Sequence, residues 1–191
     1  MIEPEEAARA NFYSLLARLF YAPPDAALLA AIAVEKMENE ESALAAAWHE
    51  LARAAASADA EVVGEEYQTA FIGTGKAPVT LYTCAYTIRY SNEVPLAELR
   101  GALSALGLGR RSGASEPEDH IAALCDTMRH LIGEQKRELP EQQRFFNRWI
   151  SPTIEPLCNA IEKSENTTFY KVVARFAKTF FQLEQSAFEM L

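Results

Sequence analysis

Along the first helix-forming stretch the apolar positions fall three and four apart: Phe12, Leu15, Leu16, Leu19 and Phe20 share one stripe, because a 3.6-residue turn brings that spacing onto a single face. Pro23-Pro24 ends this helix, since proline has no amide hydrogen and restricts the residue before it. Asp25 is placed to cap a second helix. A third covers about residues 41–58 with Leu44, Trp48 and Leu51 inward, and a fourth about 60–71. From Ile72 to Tyr90 the pattern breaks. Gly73, Gly75 and Pro78 interrupt it, and Val79, Thr80, Tyr82, Thr83, Tyr86, Thr87 and Ile88 are β-branched or aromatic, so no long helix is expected there.

Helical spacing returns with Leu96, Leu99, Leu103 and Leu106 and stops at Gly107-Leu108-Gly109, before a polar loop at Arg110, Arg111, Ser112 and Gly113. Ser115-Glu116-Pro117-Glu118 then reads as a helix start: serine as cap, glutamate three residues on, and proline in the first turn where its missing amide hydrogen costs nothing. Ile121, Leu124, Met128, Leu131 and Ile132 form the stripe of the helix that follows. Two more helices are predicted over about 141–161, broken near Ser151-Pro152 and at Pro156. A long last one runs over about 167–190 with Phe169, Val172, Val173, Phe176, Phe180 and Leu183 inward. The expected fold class is all-α, a single-domain bundle over 1–191 of roughly eight helices.

Composition narrows the function classes. The 191 residues are 49% hydrophobic and 24% charged, a globular balance with material for one core. No apolar run reaches the roughly 18 to 20 residues needed to cross a bilayer, and Met1-Ile2-Glu3-Pro4 lacks the basic start of a secretory signal. Cytoplasmic localisation without stable membrane insertion is the expectation. Cys84, Cys125 and Cys158 are odd in number and widely spaced, which fits neither a disulfide framework nor a metal knuckle. The net charge is −9, and residues 1–70 hold 13 acidic against 4 basic side chains while residues 71–191 hold 14 of each. Nucleic acid is therefore an unsuitable partner, whereas a basic ligand would be drawn in.

Glu116, Glu118, Asp119 and His120 are the densest cluster of chemically capable side chains. The positive end of a helix dipole explains acidic residues at a helix start. It does not explain His120, which lies at the border of the Ile121/Leu124 stripe and can be partly buried, bridging to a neighbouring helix. Asp119 and His120 are adjacent and point about 100° apart, a poor metal-ligand geometry, and no nucleophile accompanies them. No catalytic residue, metal site or cofactor is expected. Asp126 and His130, four apart, suit a surface pair. Tyr67, Phe71, Tyr82, Tyr86 and Tyr90 form either a core cluster or a peptide groove.

The order of three segments carries a resemblance. Tyr67-Gln68-Thr69-Ala70-Phe71-Ile72-Gly73, then Pro78 and Tyr82-Thr83-Cys84-Ala85-Tyr86, then Glu116-Pro117-Glu118-Asp119-His120-Ile121, resemble the TorD/DmsD/NarJ family of redox-enzyme maturation chaperones, over roughly residues 8–185. Phe145-Phe146-Asn147-Arg148-Trp149-Ile150-Ser151-Pro152 is similar to that family's late aromatic segment. The family's middle turn usually reads tyrosine-glutamate-serine where this chain has Tyr82-Thr83-Cys84. The resemblance implies a TorD-like all-helical cytoplasmic chaperone, not an enzyme. It would bind the twin-arginine signal peptide, or the apo form, of a molybdopterin redox enzyme until cofactor insertion and export, as a monomer or a domain-swapped dimer. Implied peptide contacts are Tyr82, Tyr86, Glu116, Pro117, Asp119, His120 and Trp149: carboxylates for guanidinium groups, His120 to orient one of them, and aromatic rings for the apolar part. The alternatives are a small helical metal-dependent enzyme, or a helical scaffold that binds no signal peptide.

Overall fold

In the computed structural model, which describes residues 3–35, 41–73, 75, 77–88, 94–109 and 116–191, every regular element among the described residues is helical. They are α1 (Pro4–Tyr21), α2 (Ala26–Val34), α3 (Ala43–Ser57), α4 (Ala60–Tyr67), α5 (Cys84–Thr87), α6 (Pro95–Ala105), α7 (Ile121–Gly133), α8 (Leu139–Phe145), α9 (Ser151–Lys163) and α10 (Phe169–Glu189). α4 runs on into a π-helical turn at Gln68–Ile72, and α8 into another at Phe146–Ile150. The all-α class is as expected. The caps follow the sequence too: Leu28 N donates to Asp25 Oδ1 at 2.7 Å, and Ala45 N to Ser42 Oγ at 3.0 Å.

The chain divides into two compact units, Met1–Ala17 with Leu81–Thr153, and Arg18–Thr80 with Ile154–Leu191. In the second unit α10 packs on α3 and α4, and α3 on α2. Trp48 and Phe176 meet edge to face at 5.6 Å. Tyr67, Phe71 and Tyr170 form a triangle of rings at 4.9 to 5.6 Å, and all three are buried. The two tyrosine hydroxyls reach the C-terminal end of α1, with Tyr170 donating to the Leu19 carbonyl at 2.9 Å and Tyr67 to that of Tyr21 at 2.9 Å. Orphaned carbonyls of a helix C-terminus are thereby satisfied inside an aromatic core. At the start of α10, Thr168 makes no side-chain cap. The Glu66 carboxylate takes that role instead, accepting the amides of Thr168, Phe169 and Tyr170 at 2.8, 3.0 and 2.7 Å.

The stripe of α10 differs from expectation at one position. Leu183 is exposed, while Phe181, Glu184 and Phe188 are buried beside Val173, Phe176 and Phe180. A band passing through 173, 177, 180 and 184 leaves 183 about 100° off its centre. Val172 is only half-buried. Pro156 does not break α9, which continues across it, because Ile154, Leu157, Cys158 and Ile161 are all buried and their packing outweighs one missing hydrogen bond.

In the first unit, α7 buries Ile121, Leu124, Met128, Leu131 and Ile132, the full expected stripe. Gly133 faces α1, where an added Cβ would make only an ordinary contact, 4.0 Å from that of Ala10. Tyr13, absent from the predicted α1 stripe, is completely buried. Gly107, at φ 74°, supplies the left-handed residue that closes α6. The predicted polar loop at 110–113 and the Ser115 cap lie outside the described residues.

Candidate functional site

The residues that break the helical pattern and the acidic-proline-acidic motif find each other in the first unit. Leu81–Thr83 runs antiparallel to Asp119–Ile121 around a single bridge between Tyr82 and His120. Thr83 N donates to the Asp119 carbonyl at 2.8 Å and Ile121 N to the Leu81 carbonyl at 2.9 Å. Thr83 Oγ1 also donates to the Asp119 carbonyl, at 2.9 Å. The Asp119 carboxylate faces the start of α5, accepting from Cys84 N at 3.3 Å. Cys84 and Asp119 thus tie the turn at 116–120 to α5.

α7 starts at Ile121, and residues 116–119 form the turn before it. His120 is the cap, its Nδ1 accepting from Ala122 N at 3.2 Å. The ring stands edge-on to Tyr82, 5.4 Å between centroids, so the expected bridge to a neighbouring helix is replaced by a local cap and a cross-bridge aromatic contact. At 5% exposure each, Asp119 and His120 are committed to the chain itself. Glu116 and Tyr82 face outward, Tyr82 Oη donating to Glu116 Oε2. That bond, then partial burial, pushes the Tyr82 phenol up to about 12. Glu118 accepts from Arg100 Nε at 3.1 Å. Near α7's far end, His130 pairs with Glu134 at 2.8 Å rather than with Asp126, which Arg129 takes at 2.7 Å.

Beside this turn lies an open cleft of about 450 Å³, walled by Thr83, Cys84, Tyr86 and Thr87 of the α5 region, Pro95 and Glu98 of α6, Arg148 and Trp149 of the π turn after α8, and Pro152 and Thr153 at the start of α9. The size is that of a small-ligand or side-chain pocket. The π turn at Phe146–Ile150 delivers Trp149 and Arg148 here while Phe146 and Ile150 stay buried, and such turns recur at functional sites. Arg148 stacks on Trp149 with its guanidinium carbon 5.0 Å from the ring centroid, and its Nη2 pairs with Glu98 Oε2. Ile88 and Val94, exposed at 50% and 60%, extend apolar surface from the adjoining Thr87 and Pro95. Burial, then the Asp119 charge, pushes the Cys84 thiol up to about 12, so it stays protonated at neutral pH and is a weak nucleophile.

The seven residues expected to contact peptide therefore separate. Tyr86 and Trp149 line the cleft, Glu116 and Tyr82 form an exposed pair beside it, and Asp119 and His120 fix the turn that carries Pro117. Sequence reasoning missed Glu98 and Arg148; the only signal was the Arg148-Trp149 dipeptide in the aromatic segment. Of the five aromatics read as one cluster, Tyr67 and Phe71 are core of the second unit and Tyr82 and Tyr86 surface of the first. Tyr90 lies outside the described residues.

His120 also makes stability pH-dependent. Burial holds its imidazole below the ordinary value near 6.5, against the opposing pull of Glu116 and Asp119. The unfolded chain takes up this proton at about pH 6.5 while the folded one resists it, so stability falls as pH drops below about 6.5 and is unaffected above. His120→Asn keeps a cap acceptor and cannot titrate. Urea unfolding at pH 7.5 and 5.5 should show a smaller acid loss for Asn than for wild type; equal losses would place the pH dependence elsewhere.

Two comparisons bear on this site. The sequence profile of a family described as nitrate reductase delta subunit matches residues 38–159. A protein named chaperone protein TorD, from Photobacterium profundum, is 25% identical over 125 residues, covering 60% of this chain and 58% of that protein. The match thus spans less than two thirds of the relative's length. The matched region 38–159 contains the whole cleft and the turn at 116–120.

Proposed function

This chain belongs to the TorD/DmsD/NarJ family of redox-enzyme maturation chaperones, and from that premise we propose that it is a single-domain, cytoplasmic chaperone for a molybdopterin redox enzyme, binding that enzyme's twin-arginine signal peptide. The apo form of the same enzyme is the second element of the client, held until cofactor insertion and export. The chain works by binding rather than by catalysis.

The observation that carries this reading is the pairing of Trp149 and Tyr86 with the Glu98 carboxylate in one cleft. A twin-arginine signal is a short basic element followed by an apolar stretch, so its receptor needs carboxylates beside greasy surface. Glu98 and the outward-facing Glu116 supply the first. Trp149, Tyr86 and the exposed Ile88 and Val94 supply the second. Asp119 and His120 hold the turn and the start of α5 in register rather than meeting the peptide. No helix among the described residues is long and apolar enough to cross a membrane, and none is needed for this role.

A synthetic twin-arginine signal peptide from a molybdopterin enzyme of the same genome should bind by isothermal titration. Raising salt from 50 to 500 mM, about a threefold shortening of the screening length, should weaken binding several-fold without abolishing it, since the apolar contacts persist. Replacing both arginines by lysine should cost about tenfold, because an ammonium group lacks the flat face and fork of guanidinium. Silence with every such peptide would sink signal recognition and leave the apoenzyme as the ligand.

A further inference from the structure

We propose that Arg148 sits, in the unbound chain, in the seat that the cleft offers to a ligand's guanidinium group, and is displaced when an arginine of the ligand arrives; this rests on the peptide-binding reading above. The seat has two walls, the Trp149 indole and the Glu98 carboxylate, and both line the cleft. Arg148 makes the two contacts that a free guanidinium group would make there. Its guanidinium lies over the indole at 5.0 Å, and an edge nitrogen meets Glu98 Oε2. A carboxylate and a ring face placed together are specific for a flat cation, and the chain's own side chain displays the mode.

Displacement is cheap because the pair is open to water. The Arg148 and Glu98 side chains are 62% and 51% exposed, and exposed ion pairs stabilise a protein little. Once released, Arg148 can extend into solvent without leaving a buried charge. An incoming arginine inherits the indole and the carboxylate, and the adjoining Tyr86 wall adds surface that Arg148 does not use. The internal arginine therefore acts as a threshold: it excludes weak or single cations and yields to a peptide that brings further contacts. Lysine-bearing segments compete poorly, since an ammonium group cannot match the stacked, forked contact that Arg148 already makes.

Arg148→Gln removes the occupant, and Glu98→Gln removes a wall of the seat. Two probes are titrated against the full chain carrying each substitution: a twin-arginine signal peptide by calorimetry, and ethylguanidinium by the NMR shift of the Trp149 indole. Arg148→Gln should bind both about threefold more tightly than wild type, and Glu98→Gln should weaken both by about tenfold, with thermal melting unchanged in each. In the Arg148→Gln background the Glu98→Gln loss should be larger than in wild type, because Glu98 is then wholly available to the ligand. If Arg148→Gln binds the peptide no better, or worse, the displacement idea is overturned while peptide recognition stands. If ethylguanidinium shows the expected pattern but no twin-arginine peptide binds, the seat stands and the signal-peptide reading falls.

Discussion

Trp149→Ala should weaken binding of a twin-arginine peptide by about thirtyfold, roughly 2 kcal/mol, while moving the melting temperature by less than about 2 °C. The indole is half-buried and turned to the cleft, whereas its neighbours Phe146 and Ile150 carry the packing of the same π turn. Truncating it therefore removes the ring face proposed to meet the ligand and little of the core. Trp149→Phe keeps a smaller face and should lose only part of the affinity. Calorimetric titration beside thermal melting separates the two contributions. A variant that binds normally would take Trp149 out of the binding surface, and one that melts early without an affinity change would make it structural.

Glu66→Ala should lower the unfolding free energy by about 2 kcal/mol, a fall in melting temperature of roughly 6 °C for a chain of this size. One carboxylate accepts three amides at the head of α10, where the helix dipole also favours negative charge. No side-chain cap from Thr168 replaces it. Glu66→Gln keeps an acceptor but loses the charge, so it should fall about midway. Because Glu66 belongs to the second unit and the cleft to the first, peptide affinity of the folded variant at 20 °C should be unchanged. A loss of affinity without a loss of stability would assign Glu66 a role in binding instead.

Most helices are legible in the sequence because they are built on local periodicity. The α7 stripe of Ile121, Leu124, Met128, Leu131 and Ile132 is buried throughout, and the Asp25 cap forms as its spacing implies. Propensity and period act within one turn or two, so a linear reading captures them. The differences fall where longer-range packing decides. Serine, glutamate and proline stand in capping order at Ser115, yet the helix begins at Ile121. The bridge to Leu81–Thr83 holds His120 extended, and His120 is the residue that caps α7. A pairing across 36 residues of sequence leaves no local trace. Pro156 predicts a break, and the buried residues around it keep the helix going.

By itself the sequence determined the all-helical class, the family, and the two segments that meet at the site, because order, composition and helical period are properties of the linear chain. It also supplied Trp149 and Tyr86, whose ring chemistry marks them wherever they lie. The tertiary structure alone decided their company. It placed Glu98 of α6 across from Arg148, buried Asp119 and His120 with hydrogen bonds to the chain's own backbone, and put Tyr67 and Phe71 in the core of one unit and Tyr82 and Tyr86 at the surface of the other. Identical residue types took opposite roles there. The reason is that burial and partnership are fixed by which distant backbone segments come together, and a carboxylate on a helix face reads the same in sequence whether it faces bulk water or an arginine stacked on an indole.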